Sequence, residues 1–343
     1  PPRSTLFPYT TLFRSYNLKG ERNYKPRQPL IWNDKLYVIF VYDKKGFVES
    51  RIQCLSLDKF DLLWEYQLSH VINNILISEN NTLIASFMNG SVVSFNLDNG
   101  QEVWKFTTEE SNIGPISNEY KQKIVVSGIQ AKATSTWCID TINGNVLWKQ
   151  SNKGHSYIPK IHNDLIYNCI GNDIFCLDLE NGLIVWEQNE PSTYLFNPKI
   201  FGQYVIASGH GIVNIYDLQS GQMLTRIETG EQSSIRELIH DEENIYFGDE
   251  NGTFYSYSLS NLDAKLNWKL QTSGKIQTIP AISGQTIFVL NDASKLFAID
   301  KNSGVLVCEK KLKGEGDISG VTIANEKIYF SCGGGHVYEC EEK

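Results

Sequence analysis

Apolar residues along this chain come in short strand-like runs, such as "SVVSFNL", "DIFCLDL", "VNIYDL" and "KLFAID", each closed by a turn sequence. A period near two sends successive side chains to opposite faces of a pleated strand, and the runs are too short for amphipathic helices. The punctuation between them, "MNG", "DNG", "ENG" and "NSG", is turn chemistry: Gly takes positive φ, and Asn or Asp bonds the turn's own amides. Strands and turns are therefore favoured over helices.

The runs repeat. "VVSFNLDNGQEVWKF", "TWCIDTINGNVLWKQ", "IFCLDLENGLIVWEQ", "VNIYDLQSGQMLTRI" and "LFAIDKNSGVLVCEK" share a strand, then Asp or Asn, three residues, Gly, three residues and usually Trp. "IQCLSLDKFDLLWEY" and "FYSYSLSNLDAKLNWKL" keep the Trp and lack the Gly. These copies end at Trp64, Trp104, Trp148, Trp186, Thr225, Trp268 and Cys308, at spacings of 40, 44, 38, 39, 43 and 40 residues. A period near 40 with strand patterning predicts one four-stranded propeller blade per repeat. Gly100, Gly144, Gly182, Gly221 and Gly304 supply the positive-φ turn between the third and fourth strands, with Asn96, Asp140, Asp178, Asp217 and Asp300 bonding its amides. First strands open near Pro29, Pro115, Pro159, Pro198 and Pro280, where proline sits outside the ladder.

After Cys308 an eighth unit begins and stops after its third strand, while Tyr16 to Lys25 precedes the first blade without belonging to it. Pairing that segment near Val337 would complete the eighth blade and remove an open edge. The expected fold is all-β: an eight-bladed propeller of four-stranded antiparallel blades closed by the N-terminal strand, with seven blades as the alternative if the segment does not dock. "PPRSTLFPYTTLFRS", Pro1 to Ser15, has no period, and in codons it resembles a common sequencing adapter. Residues 1-15 are thus read as a non-native, loosely placed tail, and residues 16-343 as a single propeller domain. The compartment is unknown from the sequence, because that stretch stands where a targeting signal would be.

The motif A-x-D-x-x-x-G-x-x-x-W resembles the tryptophan-docking repeat of the quinoprotein-like propellers, the pyrroloquinoline quinone (PQQ)-like family, and spans nearly all of the chain after Ser15. The resemblance implies that Trp64, Trp104, Trp148, Trp186 and Trp268 pack between blades, with small residues such as Cys138, Cys176 and Ala298 leaving them room. Quinone-dependent members are far longer and carry an adjacent Cys-Cys pair, which this sequence lacks. It is closer in length to the small non-catalytic bacterial members that act in outer-membrane protein assembly. What the resemblance implies is a protein-interaction scaffold, periplasmic or outer-membrane-anchored, with no cofactor. A ligand-binding sensor module and a degenerate quinoprotein oxidoreductase are the alternatives.

Composition narrows this further. A net charge of -8 without a basic cluster speaks against nucleic acid, and no apolar run has the roughly 20 residues of a membrane-spanning helix. The seven cysteines and six histidines show no metal-ligand spacing. Buried free thiols are expected, with a Cys169–Cys176 disulfide as the minor alternative. Protein partners and a monomer are the expectation. The candidate partner or ligand face comprises Asn112, His155, Tyr157, Tyr194, Arg236, Lys275 and Asp317, in the loops that join successive blades.

Overall fold

Thirty-two short strands and a single-turn 3-10 helix form the regular structure of the computed structural model, which describes residues 13–17, 24–44, 47–110, 112–129, 134–152, 154, 156–313 and 319–341. The strands pair antiparallel into eight sheets, and the fold is an eight-bladed β-propeller. Two compact units of four blades make up the chain.

One unit comprises His70–Arg236 and Leu259–Ala264 and holds blades two to five. Its blade four shows the pattern: Lys160–His162, Leu165–Ile170, Asp173–Asp178 and Ile184–Asn189 as strands A to D. Blade three has three strands, Lys123–Ser127, Thr134–Asp140 and Val146–Asn152. The strand expected after Pro115 is replaced there by isolated bridges and a side-chain substitute, the Val125 amide donating to Ser117 Oγ at 2.9 Å.

The other unit comprises Pro1–Ser69, Glu237–Ser258 and Lys265–Lys343 and holds blades one, six, seven and eight. Blade eight is built from Thr322–Ala324, Lys327–Cys332 and His336–Glu341, and its fourth strand is Phe13–Asn17, with Tyr16 opposite Val337. Two details differ from expectation. Phe13, Arg14 and Ser15 belong to that closing strand, because a ladder is made by backbone groups and extends through whatever residues keep the register. Tyr24–Pro26 pairs instead with Phe40 to Tyr42 of blade one, whose two central strands, Lys35–Lys44 and Phe47–Ser56, are ten residues long.

The turn chemistry is local and follows the sequence. Asp178 Oδ1 accepts from the amides of Glu180 and Asn181 at 2.9 and 3.1 Å, and Asp140 does the same for Ile142 and Asn143. Each of seven C–D ladders then carries a β-bulge between the turn and the docking position, as between Cys176↔Trp186 and Leu177↔Ile184. The looped-out residue faces solvent in most blades, which accounts for exposed Leu63, Val103, Leu147 and Val185.

The tryptophans reach across blade boundaries. Trp104, Trp148, Trp186 and Trp268 donate Nε1–H to the carbonyls of Thr141, Leu179, Leu218 and Lys301, in the C–D turn of the next blade, at 2.8–3.2 Å. That turn's glycine lies against the indole: a Cβ on Gly144, Gly182, Gly221 or Gly304 would come within 2.4–2.8 Å of a ring atom. Positive φ alone does not demand Gly here, since Phe60 and Ala264 hold the same turn position at φ 60° and 46°. They stand in the two blades that follow a unit without a docking tryptophan, blade eight and the Thr225 blade. Phe60 is buried with Tyr329, Val337 and Leu55, filling apolar space that an indole fills elsewhere.

Behind the tryptophans runs a second row, invisible in the motif. Tyr37, Tyr167, Tyr246 and Tyr329, each third in a B strand, are fully buried. Tyr37, Tyr167 and Tyr246 lie 6.0–6.2 Å from the tryptophan of their own blade, and Tyr167 donates to the same Leu218 carbonyl as Trp186. Burial pushes the Tyr167 hydroxyl well above its ordinary value, so it stays a donor at any physiological pH.

Candidate partner-binding site

The loops between blades end on the strands just described and are pinned to them by backbone bonds. Tyr157 N donates to Cys169 O, Leu195 N to Gly171 O, Phe196 N to Ser208 O and Ile235 N to Gly209 O, at 2.7–3.1 Å. Gly209 permits the close approach: a Cβ there would lie 2.7 Å from the Thr193 methyl and 2.9 Å from Tyr194 O. Three loops from three inter-blade connections are thus fixed against the B strands and B–C turns of blades four and five.

Their side chains converge on Phe196, which is buried. The Tyr157 ring meets it edge-on at 5.2 Å (87°), the His210 ring at 5.5 Å (67°), and the Arg236 guanidinium lies over it at 5.5 Å. Ser234 Oγ is 3.0 Å from His210 Nδ1, which orients the imidazole, and the His210 amide donates to Thr193 Oγ1. Burial raises the Tyr157 hydroxyl above its ordinary value while Arg236 pulls it back, so the cation is electrostatically felt at the phenol. Tyr194 is 56% exposed beside this cluster, and Arg236 is exposed. Two aromatic rings, an imidazole and a guanidinium on a rigid loop platform make a surface suited to binding, with large contact area at small entropic cost.

Of the residues singled out in the sequence, Tyr157 and Arg236 are brought together around Phe196, and Tyr194 stands two residues from it. Asn112 is exposed at φ 66°, its backbone spanning Met88 O and Ile129 N. Lys275 belongs to the other unit, where its amide donates to Asp292 Oδ1 at 2.7 Å. His155 and Asp317 lie outside the described residues. Phe196 and His210 are the residues that sequence reasoning missed; both sit where an apolar residue before a strand and a turn histidine look ordinary.

Chemistry elsewhere is sparse. All seven cysteines are free, and Cys169 pairs in register with Ile174, two residues from Cys176, which leaves the minor disulfide unformed. Burial pushes the Cys138, Cys176 and Cys332 thiols up to about 12, which keeps them protonated and unreactive. Among the described residues no three His, Cys, Asp or Glu side chains are placed to hold a metal, and no helix is long and apolar enough to cross a membrane.

The family model for the outer membrane protein assembly factor BamB matches residues 49–262 and 257–343. The chain belongs to this family. BamB from Moraxella catarrhalis superposes with a TM-score of 0.72 at 15% identity, covering 97% of this chain and 99% of that one. The Chaetomium thermophilum Sqt1 bound to the N-terminus of ribosomal protein L10 gives 0.80 at 13% identity, over 96% and 98%. The computationally designed Ika8 protein gives 0.76 at 13%, over 95% and 98%. At these identities the likeness is one of fold. Tetrathionate hydrolase of Acidithiobacillus ferrooxidans is 31% identical over 75 residues, 22% of this chain and 15% of that protein's length.

Proposed function

We infer that this chain is a non-catalytic scaffold that binds a protein partner in the cell envelope, in the manner implied by the outer-membrane assembly family. The observation that carries the reading is the loop cluster around Phe196. It offers exposed Tyr194 and Arg236, half-exposed Tyr157 and an oriented His210. Tyr and Arg are the residue types that dominate protein interfaces. The blade girdle, by contrast, is committed to packing, and the motif aspartates to their own turns.

Photo-crosslinking tests it. Benzoylphenylalanine at position 194 should yield a discrete adduct with one partner in extracts of the source cells, and at Gly202, an open turn position, it should not. Equal labelling from both positions, or none from 194, would remove the support for this surface.

A second reading, an enzyme of the quinoprotein or tetrathionate hydrolase kind, has the short hydrolase match in its favour. Dye reduction with PQQ and calcium, or release of thiosulfate from tetrathionate, would establish it in place of the scaffold.

A further inference from the structure

Resting on the partner-binding reading of the same surface, we propose that Glu190 is its positioning residue: the carboxylate straps the loop carrying Tyr194 and Phe196 to the next blade, so that both rings are presented in one orientation. Glu190 opens the loop between blades four and five and is buried, its side chain 6% exposed. Oε2 accepts from Asn214 Nδ2 at 3.0 Å and from Arg226 Nη1 at 2.8 Å, on facing residues of strands Ile212–Asp217 and Met223–Glu228 of blade five. Oε1 accepts from the amide and the hydroxyl of Ser192 in its own loop. The Glu190 amide donates to Asn172 O, and Asn172 Nδ2 donates back to Glu190 O at 3.1 Å, which ties the start of the loop to the B–C turn of blade four. Three residues on, Thr193 accepts the His210 amide, and Tyr194 follows it.

A buried carboxylate is costly unless its partners are in place, so its bonds fix the geometry of whatever carries it. Burial pushes the Glu190 carboxyl up, but the bonds from Ser192 and Asn214 and the Arg226 charge outweigh it and hold it below its ordinary value, ionised near neutrality. The chain supplies its own comparison. Glu110, in the loop between blades two and three, likewise accepts from strand C of the next blade, from Ser135 N at 3.0 Å and Oγ at 2.7 Å, and pairs with Lys149 of strand D at 3.3 Å. Lys149 and Arg226 hold the same place, one residue after the docking position. The Glu110 and Lys149 side chains, however, are 29% and 52% exposed, and solvent screens such a pair.

Hydrogen–deuterium exchange of the full chain tests the assignment at the loop's own bonded amides, Leu195 and Phe196, which donate to Gly171 O and Ser208 O. Glu190→Gln should speed their exchange about tenfold, and Glu110→Gln should leave it unchanged. Arg226→Gln should act in the same direction, Arg226→Lys should restore most of the protection, and the Glu190→Gln/Arg226→Gln double variant should be no looser than the looser single one, because the shared pair is already broken. Benzoylphenylalanine at position 194 should lose most of its adduct when combined with Glu190→Gln and keep it with Glu110→Gln. Thermal melting checks that each variant folds, and should Glu190→Gln fail to, Arg226→Gln carries both readouts. Unchanged exchange, additive losses, equal loosening by Glu110→Gln or an undiminished adduct overturns the proposal. No adduct from position 194 in the parent chain would instead remove the partner surface, while the exchange data still decide whether Glu190 holds the loop, so the two fail separately.

Discussion

At the scale of single residues, the docking glycines are decided by a tryptophan of the preceding blade, 34–40 residues away, as much as by their own φ. Gly144 has φ 75° and the Trp104 ring 2.6 Å from where a Cβ would stand; Gly202 has φ 56° and nothing within 4 Å. Gly144→Ala should therefore cost about 2–4 kcal/mol, strain and overpacking together, while Gly202→Ala costs about 1 kcal/mol for the left-handed backbone alone. Urea midpoints for the two variants check this, and equal losses would refute the part assigned to the indole. Asp241 gives a second residue-scale prediction. Burial opposes its ionisation, but Lys301 Nζ at 3.0 Å, the Glu243 and Asn244 amides and the Tyr246 hydroxyl outweigh burial and bring the carboxyl down to about 2. A depressed pKa contributes stability in full above about 4 and loses it as pH falls toward 2. Asp241→Asn should flatten the stability curve in that window and leave its shape near neutrality unchanged.

At the scale of the element, the C–D hairpin was legible because its determinants lie within a few residues of one another. Asp178 reaches Glu180 and Asn181, and Gly182 closes on Asp178 O at 2.8 Å, so the motif states its own hydrogen bonds. The bulge before each docking position was not legible, since it exists only in the register between two strands. Nor was the role of Phe60, which reads as a degenerate copy of the glycine until the missing tryptophan of the preceding blade is set beside it. Phe60→Ala should cost about 3–5 kcal/mol, in the range for emptying a buried aromatic site, measured by chemical denaturation. A loss under about 1 kcal/mol would show that the seam collapses around the gap.

At the scale of the molecule, the two ends of the chain share blade eight. Phe13–Asn17 covers the outer edge of His336–Glu341, and Gln28 Nε2 bonds Val321 O while Thr322 Oγ1 bonds Pro29 O across the same join. Removing residues 1–17 bares that edge. The shortened chain should melt lower and associate through the exposed strand, visible as a concentration-dependent shift in size-exclusion chromatography. A monomer of unchanged melting temperature would show that the strand contributes nothing to closure.

Blade number, strand order and turn chemistry were written in the sequence, because each blade repeats a local pattern whose hydrogen bonds span two to four residues. The candidate site was half legible: Tyr157, Tyr194 and Arg236 stand out as aromatics and charge in loops, but Phe196, around which the cluster forms, has no local signature. Only the tertiary structure decided which loop residues meet. Residues 157, 196, 210 and 236 come from three successive repeats, and their contact depends on long-range packing that no local period encodes.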